Sequence, residues 1–406
     1  MTGAMRAVLL AGLLALCFPM VASAQDANAL FDEGVDLWQR GHTEEALAKF
    51  KEVLANNPSS EDAYQMLERA EYRLFLKMLV AGGDAKQVAE RFLDLSRPAR
   101  TEKRQDEAAI QALVKDAIHG ADFGVRRKAN LMLQAEHGEY TVPALLPYLG
   151  SNDIEERTNA VITATVLGSD AVLPMVEALS SGNVEVVRNA CAVLARLKDW
   201  RAIPALMAVS ENVDGDELAS KMANDAIAAI GLDKGFEPAN AVDAYLQLAK
   251  KYYSNDPGVI LNFDADWTIW TWKDGNLASR QVQRFLYGFE LAEDAAYKAL
   301  ALSPGNMDAR IQLALVAFGQ KAAVDGFGAS VSGETVDAVK AKLAGVTALA
   351  ASQGIAVLDG AAMRALSWGD TGIAREALYA LAKAWDGSIP TEECALVQGL
   401  RGDDKG

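Results

Sequence analysis

Apolar and polar residues alternate along most of the chain with the period of short amphipathic helices. Between residues 122 and 232, three full copies and one partial copy of a unit of about 30 residues follow one another. Each full copy has a polar turn, an apolar helical stripe, a second turn and a second stripe. One such pair of helices cannot bury its apolar side alone, so it must pack against the next pair. The pattern therefore predicts stacked helix hairpins in this region.

Three kinds of residue recur at matching places in these copies. Asp or Asn opens each copy as an expected helix N-cap, and an arginine follows about one turn later. A proline lies in the first turn of the second helix, where its missing N–H has no partner. The N-caps are Asp122, Asp153, Asn183 and Asp216, the arginines are Arg127, Arg157 and Arg188, and the prolines are Pro143, Pro174 and Pro204.

This order of polar turn, arginine, alanine and proline resembles HEAT repeats of the phycobilin-lyase-like kind. The resemblance covers about 110 residues. It implies a structural role for the three arginines, which tie adjacent turns together in that family. It implies no lyase activity, because nothing in the sequence suggests a bilin site and most HEAT proteins are binding scaffolds.

The region 27–58 resembles a tetratricopeptide repeat. Gly34 and Ala46 are small residues at the expected close crossing of two helices, and Phe50 fills the space beside them. Pro58 ends the second helix. The resemblance implies a second kind of helix hairpin in the mature N-terminal region.

A longer hairpin is predicted directly after this repeat. Residues 61–98 carry a helical apolar pattern that is interrupted at Gly82-Gly83 and ended by Pro98. Because one tetratricopeptide-like repeat would not be stable alone, we expect it to stack on this hairpin.

One stretch between residues 236 and 325 breaks the helical pattern. Helices are predicted over 241–253 and 285–304, the latter resembling the end of a tetratricopeptide repeat. Between them, residues 267–272 alternate in the manner of a strand, and Asp274-Gly275 is a turn signal. A β-hairpin inserted between two helices is therefore predicted.

The tryptophans of this hairpin are the first candidate contact residues. Trp267, Trp270 and Trp272 are large aromatic residues close together in the sequence. They form either an aromatic patch for a peptide or glycan or a wedge that holds two blocks of repeats together. The sequence leaves both interpretations open.

The predicted fold is all-α, an α-solenoid of stacked tetratricopeptide-like and HEAT-like hairpins with a small inserted β-hairpin. The predicted segments are a signal peptide at 1–24, tetratricopeptide-like hairpins at 25–98, HEAT repeats at 99–235, tetratricopeptide-like helices with the tryptophan-rich hairpin at 236–325, and a linker with HEAT-like helices at 326–406. The last residues, 400–406, resemble the opening of a further unit, which predicts a truncated or fragmentary form.

The N-terminus predicts export. Arg6 precedes an apolar stretch, Val8 to Val21, and Ala22-Ser23-Ala24 is an A-x-A cleavage site. The expected location is the periplasm or the extracellular space, and an uncleaved membrane anchor is the alternative. No later segment has 18 consecutive apolar residues, so no membrane insertion is expected after cleavage. Cys191 and Cys394 are then expected to be small buried hydrophobes, although export permits a disulfide.

The net charge of the chain indicates which class of partner it can bind. The chain has 39 Lys and Arg against 55 Asp and Glu, a formal net charge of −16, and it lacks a basic stripe. Nucleic acid is therefore not an expected partner, because binding it requires a basic surface. The net charge favours a basic or neutral protein or peptide.

The sequence shows no pattern that predicts catalysis. His42, His119 and His137 are the only histidines, and none has metal-ligand spacing to another ligand residue. A G-x-S-x-G motif and phosphate-binding loops are absent, and the acidic stretches 212–216 and 262–266 lack the glycine and glutamate of an EF-hand loop. We therefore expect no enzyme activity, no cofactor and no metal.

These features predict a non-catalytic exported scaffold that binds protein or peptide partners. Repeat scaffolds bind through their inner helices, so Tyr148, Glu177 and Met207 on the second helices join the tryptophans as candidate exposed contacts. The alternatives are a regulatory or substrate-binding part of a larger envelope enzyme, and a structural part of an envelope assembly. The oligomeric state is left open.

Overall fold

The structure is a computed structural model in which helices dominate. It describes residues 24–70, 72–232, 235–260, 267–327, 344–345, 348, 350, 352–385 and 394–397. These residues contain eighteen α-helices, several short 3₁₀ or π turns and one two-stranded sheet. The predicted all-α class with a small inserted sheet is confirmed. The predicted signal peptide lies outside the described residues, apart from Ala24.

The chain forms two compact units, Met1–Lys103 and Arg104–Gly406. The first contains five helices, the last of which ends one residue beyond the unit. They are α1 Ala24–Gln39, α2 Thr43–Ala55, α3 Ser60–Arg69, α4 Tyr72–Ala81 and α5 Gly83–Arg104. Four buried phenylalanines, one each from α1, α2, α4 and α5, form its centre with ring centroids 5.5 to 6.4 Å apart. They are Phe31, Phe50, Phe75 and Phe92.

The predicted close crossing of α1 and α2 is confirmed. Ala46 is fully buried, and a Cβ added to Gly34 would lie 2.7 Å from Cε1 of Phe50. Real Cβ atoms do not approach a ring so closely, so glycine is required for α1 and α2 to pack at this distance.

Replacing Gly34 with valine is expected to lower the free energy of unfolding by about 2 kcal/mol, because the new side chain overpacks the Phe50 ring. Gly305→Val is the control, since no atom lies within 4 Å of a Cβ at that exposed turn. Urea denaturation followed by circular dichroism measures both. Equal stability of the two variants would contradict the close crossing.

The predicted helix end at Pro98 is wrong. Pro98 lies inside α5, which continues to Arg104. The backbone N–H of Ala99 donates to Oγ of Ser60 in α3 at 2.9 Å. A side chain from another helix thus accepts a hydrogen bond beside the proline, and the buried Ala99 and Thr101 hold the last turn in place.

The second unit contains the remaining helices and the sheet. They are α6 Glu107–His119, α7 Phe123–Met132, α8 Val142–Leu149, α9 Ile154–Val166, α10 Val172–Ala178, α11 Val184–Leu197, α12 Ile203–Glu211, α13 Glu217–Ile230, α14 Ala241–Tyr253, β1 Thr268–Lys273, β2 Asn276–Gln281, α15 Arg284–Leu302, α16 Met307–Phe327, α17 Ile355–Ser367 and α18 Thr371–Ala384. One continuous cluster of buried apolar side chains extends from α6 through the sheet to α18.

The four predicted N-caps are confirmed. Asp122, Asp153, Asn183 and Asp216 directly precede α7, α9, α11 and α13, and each side chain accepts a hydrogen bond from a backbone N–H of the first turn. These bonds satisfy N–H groups that have no partner within the helix. The repeated polar turn in the sequence is therefore a repeated helix start.

The prolines also lie where the pattern predicts. Each is in the first turn of a second helix, and each helix follows a short 3₁₀ segment. Pro143 in α8 follows Gly138–Thr141, Pro174 in α10 follows Gly168–Ala171, and Pro204 in α12 follows Trp200–Ala202.

Two asparagines join successive helix pairs. Asn159 in α9 donates from Nδ2 to the carbonyl of Ile118 at 2.9 Å, and Asn189 in α11 donates to the carbonyl of Leu149 at 2.8 Å. Both acceptors lie at the end of the helix three positions earlier, in α6 and in α8. Both donors lie six residues after an N-cap. Successive pairs are therefore held by the same kind of hydrogen bond.

The predicted start of a linker at residue 326 is wrong, because Gly326 and Phe327 belong to α16. Residues 328–343 lie outside the described part of the chain. Within the segment 326–406, where HEAT-like helices are predicted, Asp370 caps α18 by accepting from the N–H of Ile373.

None of the described helices alone is both long and apolar enough to cross a bilayer. Ile154–Val166 and Gly168–Ala178 meet the criterion only when taken together, and they are bent by 117° relative to one another.

Candidate functional site

The predicted β-hairpin is present and is named here the Trp hairpin, residues 267–282. β1 and β2 pair antiparallel from Thr268 opposite Gln281 to Lys273 opposite Asn276. Asp274 and Gly275 form the turn with φ angles of 52° and 81°. Positive φ at both turn residues is the geometry that favours Asp-Gly in two-residue hairpins.

One face of the Trp hairpin packs on the 3₁₀ turn that precedes α8. The Trp270 side chain is buried, and its Nε1–H donates to Oε2 of Glu139 at 2.6 Å. The hydroxyl groups of Tyr140 and Thr268 are hydrogen-bonded at 2.9 Å, and the rings of Tyr140 and Trp270 lie 5.9 Å apart. These contacts join residues that are 128 and 131 positions apart in the chain.

The other face packs on α15. Trp267 and Ile269 are buried, and the Trp267 ring lies 5.5 Å from the ring of Tyr287, edge to face. The guanidinium of Arg284 lies 5.5 Å from the centre of the Trp267 ring, in range for a cation–π contact. The base of the hairpin is therefore buried on both sides.

Because the hairpin is packed on both faces, little of its tryptophan side chains is exposed to solvent. Trp267 is 6% exposed and Trp270 is 5% exposed, so neither forms an open patch. Trp272 is half-buried, nearer the exposed turn. The expectation of an exposed aromatic surface is wrong for Trp267 and Trp270, since two layers of side chains cover them. The wedge interpretation agrees with these contacts.

A buried ionic network lies beside the hairpin. Nζ of Lys298 in α15 donates to Oε1 of Glu177 in α10 and also pairs with Asp294 at 2.7 Å. The backbone N–H of Trp272 donates to the second oxygen of Glu177 at 3.3 Å. Glu177 thus links α10, β1 and α15.

Burial and charge shift the ionisation of this network in identifiable ways. Burial of Glu177 raises the pKa of its carboxyl above the ordinary value, and the nearby Lys298 cation only partly offsets this. Burial tends to lower the pKa of Lys298, but the Asp294 and Glu177 carboxylates outweigh it and raise that pKa. Lys298 therefore stays charged. Without this cation, burial of the Glu177 carboxylate would destabilise the folded protein.

The other predicted contact residues do not share one surface. The Glu177 side chain is buried, so the expectation that it is exposed is wrong. Tyr148 is half-buried with its ring 5.7 Å from His119, and Met207 packs beside the cluster of Ile203, Phe236 and Ala244. Partner binding by these residues stays a prediction.

Two described cysteines are free and buried, as predicted. They are Cys191 and Cys394. Burial raises the pKa of the Cys191 thiol to about 12. The thiol is therefore protonated near neutral pH and behaves as a small apolar side chain.

The histidines lie apart from one another. His42 is exposed beside Glu45, and His119 lies 3.4 Å from Glu156. His137 is buried, not exposed, and its Nδ1 is 3.0 Å from the carbonyl of Arg104. Within the described ranges, no group of three or more His, Cys, Asp or Glu side chains has the geometry to hold a metal ion. The acidic stretch 262–266 lies outside them.

The three predicted arginines do not share one position of the repeat. Arg127 and Arg188 lie five residues after their N-caps, whereas Arg157 lies four residues after its N-cap, in the place that Arg126 occupies in the first copy. Nη1 of Arg126 donates to the carbonyl of Gly120 at 2.7 Å, and Nη1 of Arg157 donates to that of Ser151 at 2.6 Å. Each acceptor lies six residues before its arginine, so the two contacts are equivalent.

Arg188 makes the connection that the resemblance implies. Its guanidinium donates two hydrogen bonds to Asp216, the N-cap of α13, at 2.9 and 2.8 Å. Arg157 lies 4.0 Å from Glu185 in α11. The starts of α9, α11 and α13 are therefore connected in series.

Arg127 and its neighbour Lys128 are left on the outer face of α7. Both are exposed, and in the described part of the chain neither is hydrogen-bonded to or paired with a carboxylate. They line an open groove of about 360 Å³. The groove residues are Gly124, Arg127, Lys128, Leu131, Met132, Ala135 and Glu136, and this set is named the α7 groove.

Comparisons with known proteins return no match: no family model, no curated protein and no solved structure matches the chain. The likeness to HEAT and tetratricopeptide repeats therefore depends on the residues and contacts described above.

Proposed function

We propose that the protein is an exported, non-catalytic α-solenoid that binds protein or peptide partners and is built from tetratricopeptide-like and HEAT-like helix pairs. The recurring N-caps and prolines support the repeat assignment, as do the equivalent bonds of Asn159 and Asn189. The apolar stretch and A-x-A site at the N-terminus support export.

One observation favours binding above the other proposals. The residue directly after the N-cap is apolar and exposed in three successive outer helices. Phe123 is 71% exposed, Ile154 is 72% exposed and Val184 is 42% exposed. These three residues are named the first-turn row. A single exposed apolar residue is ordinary, whereas exposed apolar patches mark interaction sites. The recurrence of exposure at equivalent positions of three copies supports such a surface here.

Burial of this row would contribute usefully to binding. Full burial of a large aliphatic or aromatic side chain is worth about 1.5–3 kcal/mol relative to exposure. The Arg157–Glu185 and Arg188–Asp216 pairs connect the starts of the neighbouring helices. A partner that follows this edge of the helices can therefore contact successive pairs without a change of fold.

Photo-crosslinking in cells tests this function. A photoreactive amino acid at position 123, 154 or 184 is expected to capture the same partner, detected as one shifted band and identified by mass spectrometry. Tyr379 provides the control position, since it is 62% exposed on α18, outside the row. No crosslinked species, or equal capture at position 379, would contradict the proposal. Fractionation of the same cells tests export.

A further inference from the structure

The α7 groove follows one stripe of the helix surface. Gly124, Lys128, Leu131 and Ala135 stand three to four residues apart, which places them on one side of α7 and the π turn after it. Together with Arg127, Met132 and Glu136 they border a shallow, open depression of about 360 Å³, in which Leu131 is half exposed.

The groove has more cationic than anionic side chains, although the chain as a whole is acidic. The chain has a net charge of −16, yet the groove contains Arg127 and Lys128 against the single carboxylate Glu136. The equivalent position in the next copy, Thr158, is uncharged, and Arg188 in the third copy is held by Asp216. Arg127 has no such partner, since Arg126 makes the structural bond to Gly120. Packing therefore does not account for these two cations.

We propose that the α7 groove binds a short acidic peptide segment with apolar side chains next to its carboxylate, an inference that depends on the scaffold function proposed above. The carboxylate would pair with Arg127 and Lys128. The apolar side chains would cover Leu131 and Met132. The net charge favours basic or neutral partners at long range, but contact is decided by the charges within the groove.

The dimensions of the groove limit the length of this segment. From Gly124 to Glu136 a helix axis rises about 18 Å. An extended chain of about five or six residues covers that distance. Leu131 lies one turn beyond Arg127, about 6 Å along the axis, so the carboxylate and the first apolar side chain must be neighbours. Glu136 at the far end disfavours a second carboxylate there.

Fluorescence anisotropy with labelled 12-residue peptides tests the proposal on the full mature chain. The first probe has two adjacent Glu followed by three Leu separated by Ser. The second has Lys in place of Glu, and the third has Ser in place of Leu. We expect saturable binding of the first probe, and binding at least tenfold weaker for each of the others.

A pair of charge-reversal variants identifies the site. Arg127→Glu with Lys128→Glu is expected to weaken binding of the first probe at least tenfold. The matched control, Lys77→Glu with Lys221→Glu, changes the net charge equally at two exposed lysines and is expected to change affinity less than twofold. Thermal melts check that both variants remain folded, which their exposure predicts.

Several outcomes would overturn the proposal. They are the absence of binding by the first probe, equal binding of the Lys probe, and equal weakening in the control variant. Dimerisation that light scattering detects and that Arg127→Glu with Lys128→Glu abolishes would assign the groove to a second copy of the chain instead. If the probes fail while crosslinks at Ile154 and Val184 persist, the α7 groove is wrong and the scaffold function stands. If the crosslinks fail as well, both are wrong.

Discussion

Trp270→Ala is expected to lower the free energy of unfolding of the second unit by about 3–5 kcal/mol, the cost of removing a large buried aromatic side chain. The change leaves a cavity between the Trp hairpin and the turn before α8, and it removes the donor to Glu139. Glu139 then loses a hydrogen bond in a partly buried place, which adds to the loss. Urea denaturation at pH 7, followed by far-ultraviolet circular dichroism, measures the effect.

Two comparison variants separate the causes. Trp270→Phe keeps most of the apolar volume but loses the bond to Glu139, so an intermediate loss is expected. Tyr379→Ala removes an aromatic ring that is 62% exposed on α18, and its effect should stay within about 0.5 kcal/mol. Trp272→Ala should cost less than Trp270→Ala, because the ring is half-buried and the backbone N–H to Glu177 remains.

The same experiment decides between the two roles of the tryptophans. A wedge predicts a large loss of stability in Trp270→Ala, because both faces of the hairpin are packed. An aromatic contact patch predicts an unchanged melting curve and weaker partner binding. Unchanged stability in Trp270→Ala would therefore contradict the packing of the hairpin between α15 and the turn before α8.

Local signals in the sequence predicted the elements well. Asp122, Asp153, Asn183 and Asp216 mark helix starts because a capping side chain acts within three residues of its own position. The Asp-Gly turn of the Trp hairpin is equally local. Such features need no knowledge of distant residues, so a pattern read along the chain is sufficient.

Exposure was harder to predict, because it depends on what packs against a side chain from far along the chain. Glu177 is in the second helix of its pair, and the pattern there gives no sign that Lys298 will cover it from 121 residues away. The burial of Trp270 depends on Glu139 and Tyr140 in the same way. The alternating residues of β1 predicted a strand. They did not predict that α15 and the turn before α8 would cover its two faces.

Residues at equal distances after each N-cap carry a further signal, which predicts contacts between helices. Asn159 and Asn189 are 30 residues apart and stand at the same place after their N-caps, so the pattern contained the signal for their bonds. The same comparison of positions after each N-cap aligns Arg126 with Arg157. It also aligns Arg127 with Arg188, which is bonded to Asp216 while Arg127 has no such bond, and this difference draws attention to the outer face of α7.

Lys298→Met is expected to lower the free energy of unfolding by about 3 kcal/mol at pH 7, because removal of one partner leaves Glu177 buried without a cation. The value lies at the lower end of the range for buried pairs, since the Lys298 side chain is 25% exposed and Asp294 is 31% exposed. The apolar stem of methionine keeps most of the packing of lysine. The loss is therefore mainly electrostatic.

The loss should depend on pH in a definite direction. Burial already raises the pKa of Glu177 in the folded protein, and removal of the Lys298 charge raises it further. A carboxyl whose pKa is higher folded than unfolded is relatively favourable at low pH, where it is neutral in both states. Stability is then lost as the pH rises through the folded pKa. The deficit of Lys298→Met should therefore be smaller at pH 5 than at pH 8.

The double variant Lys298→Met with Glu177→Gln tests this cause directly. Glutamine can still accept the hydrogen bond from the Trp272 N–H, and it carries no charge at any pH. The double variant should recover part of the stability lost by Lys298→Met at pH 8 and show little difference between pH 5 and pH 8. Urea denaturation at the two pH values measures all four proteins of the cycle. A deficit that is the same at both pH values, or that the second substitution deepens, would show that Lys298 stabilises the unit through packing and not through the charge of Glu177.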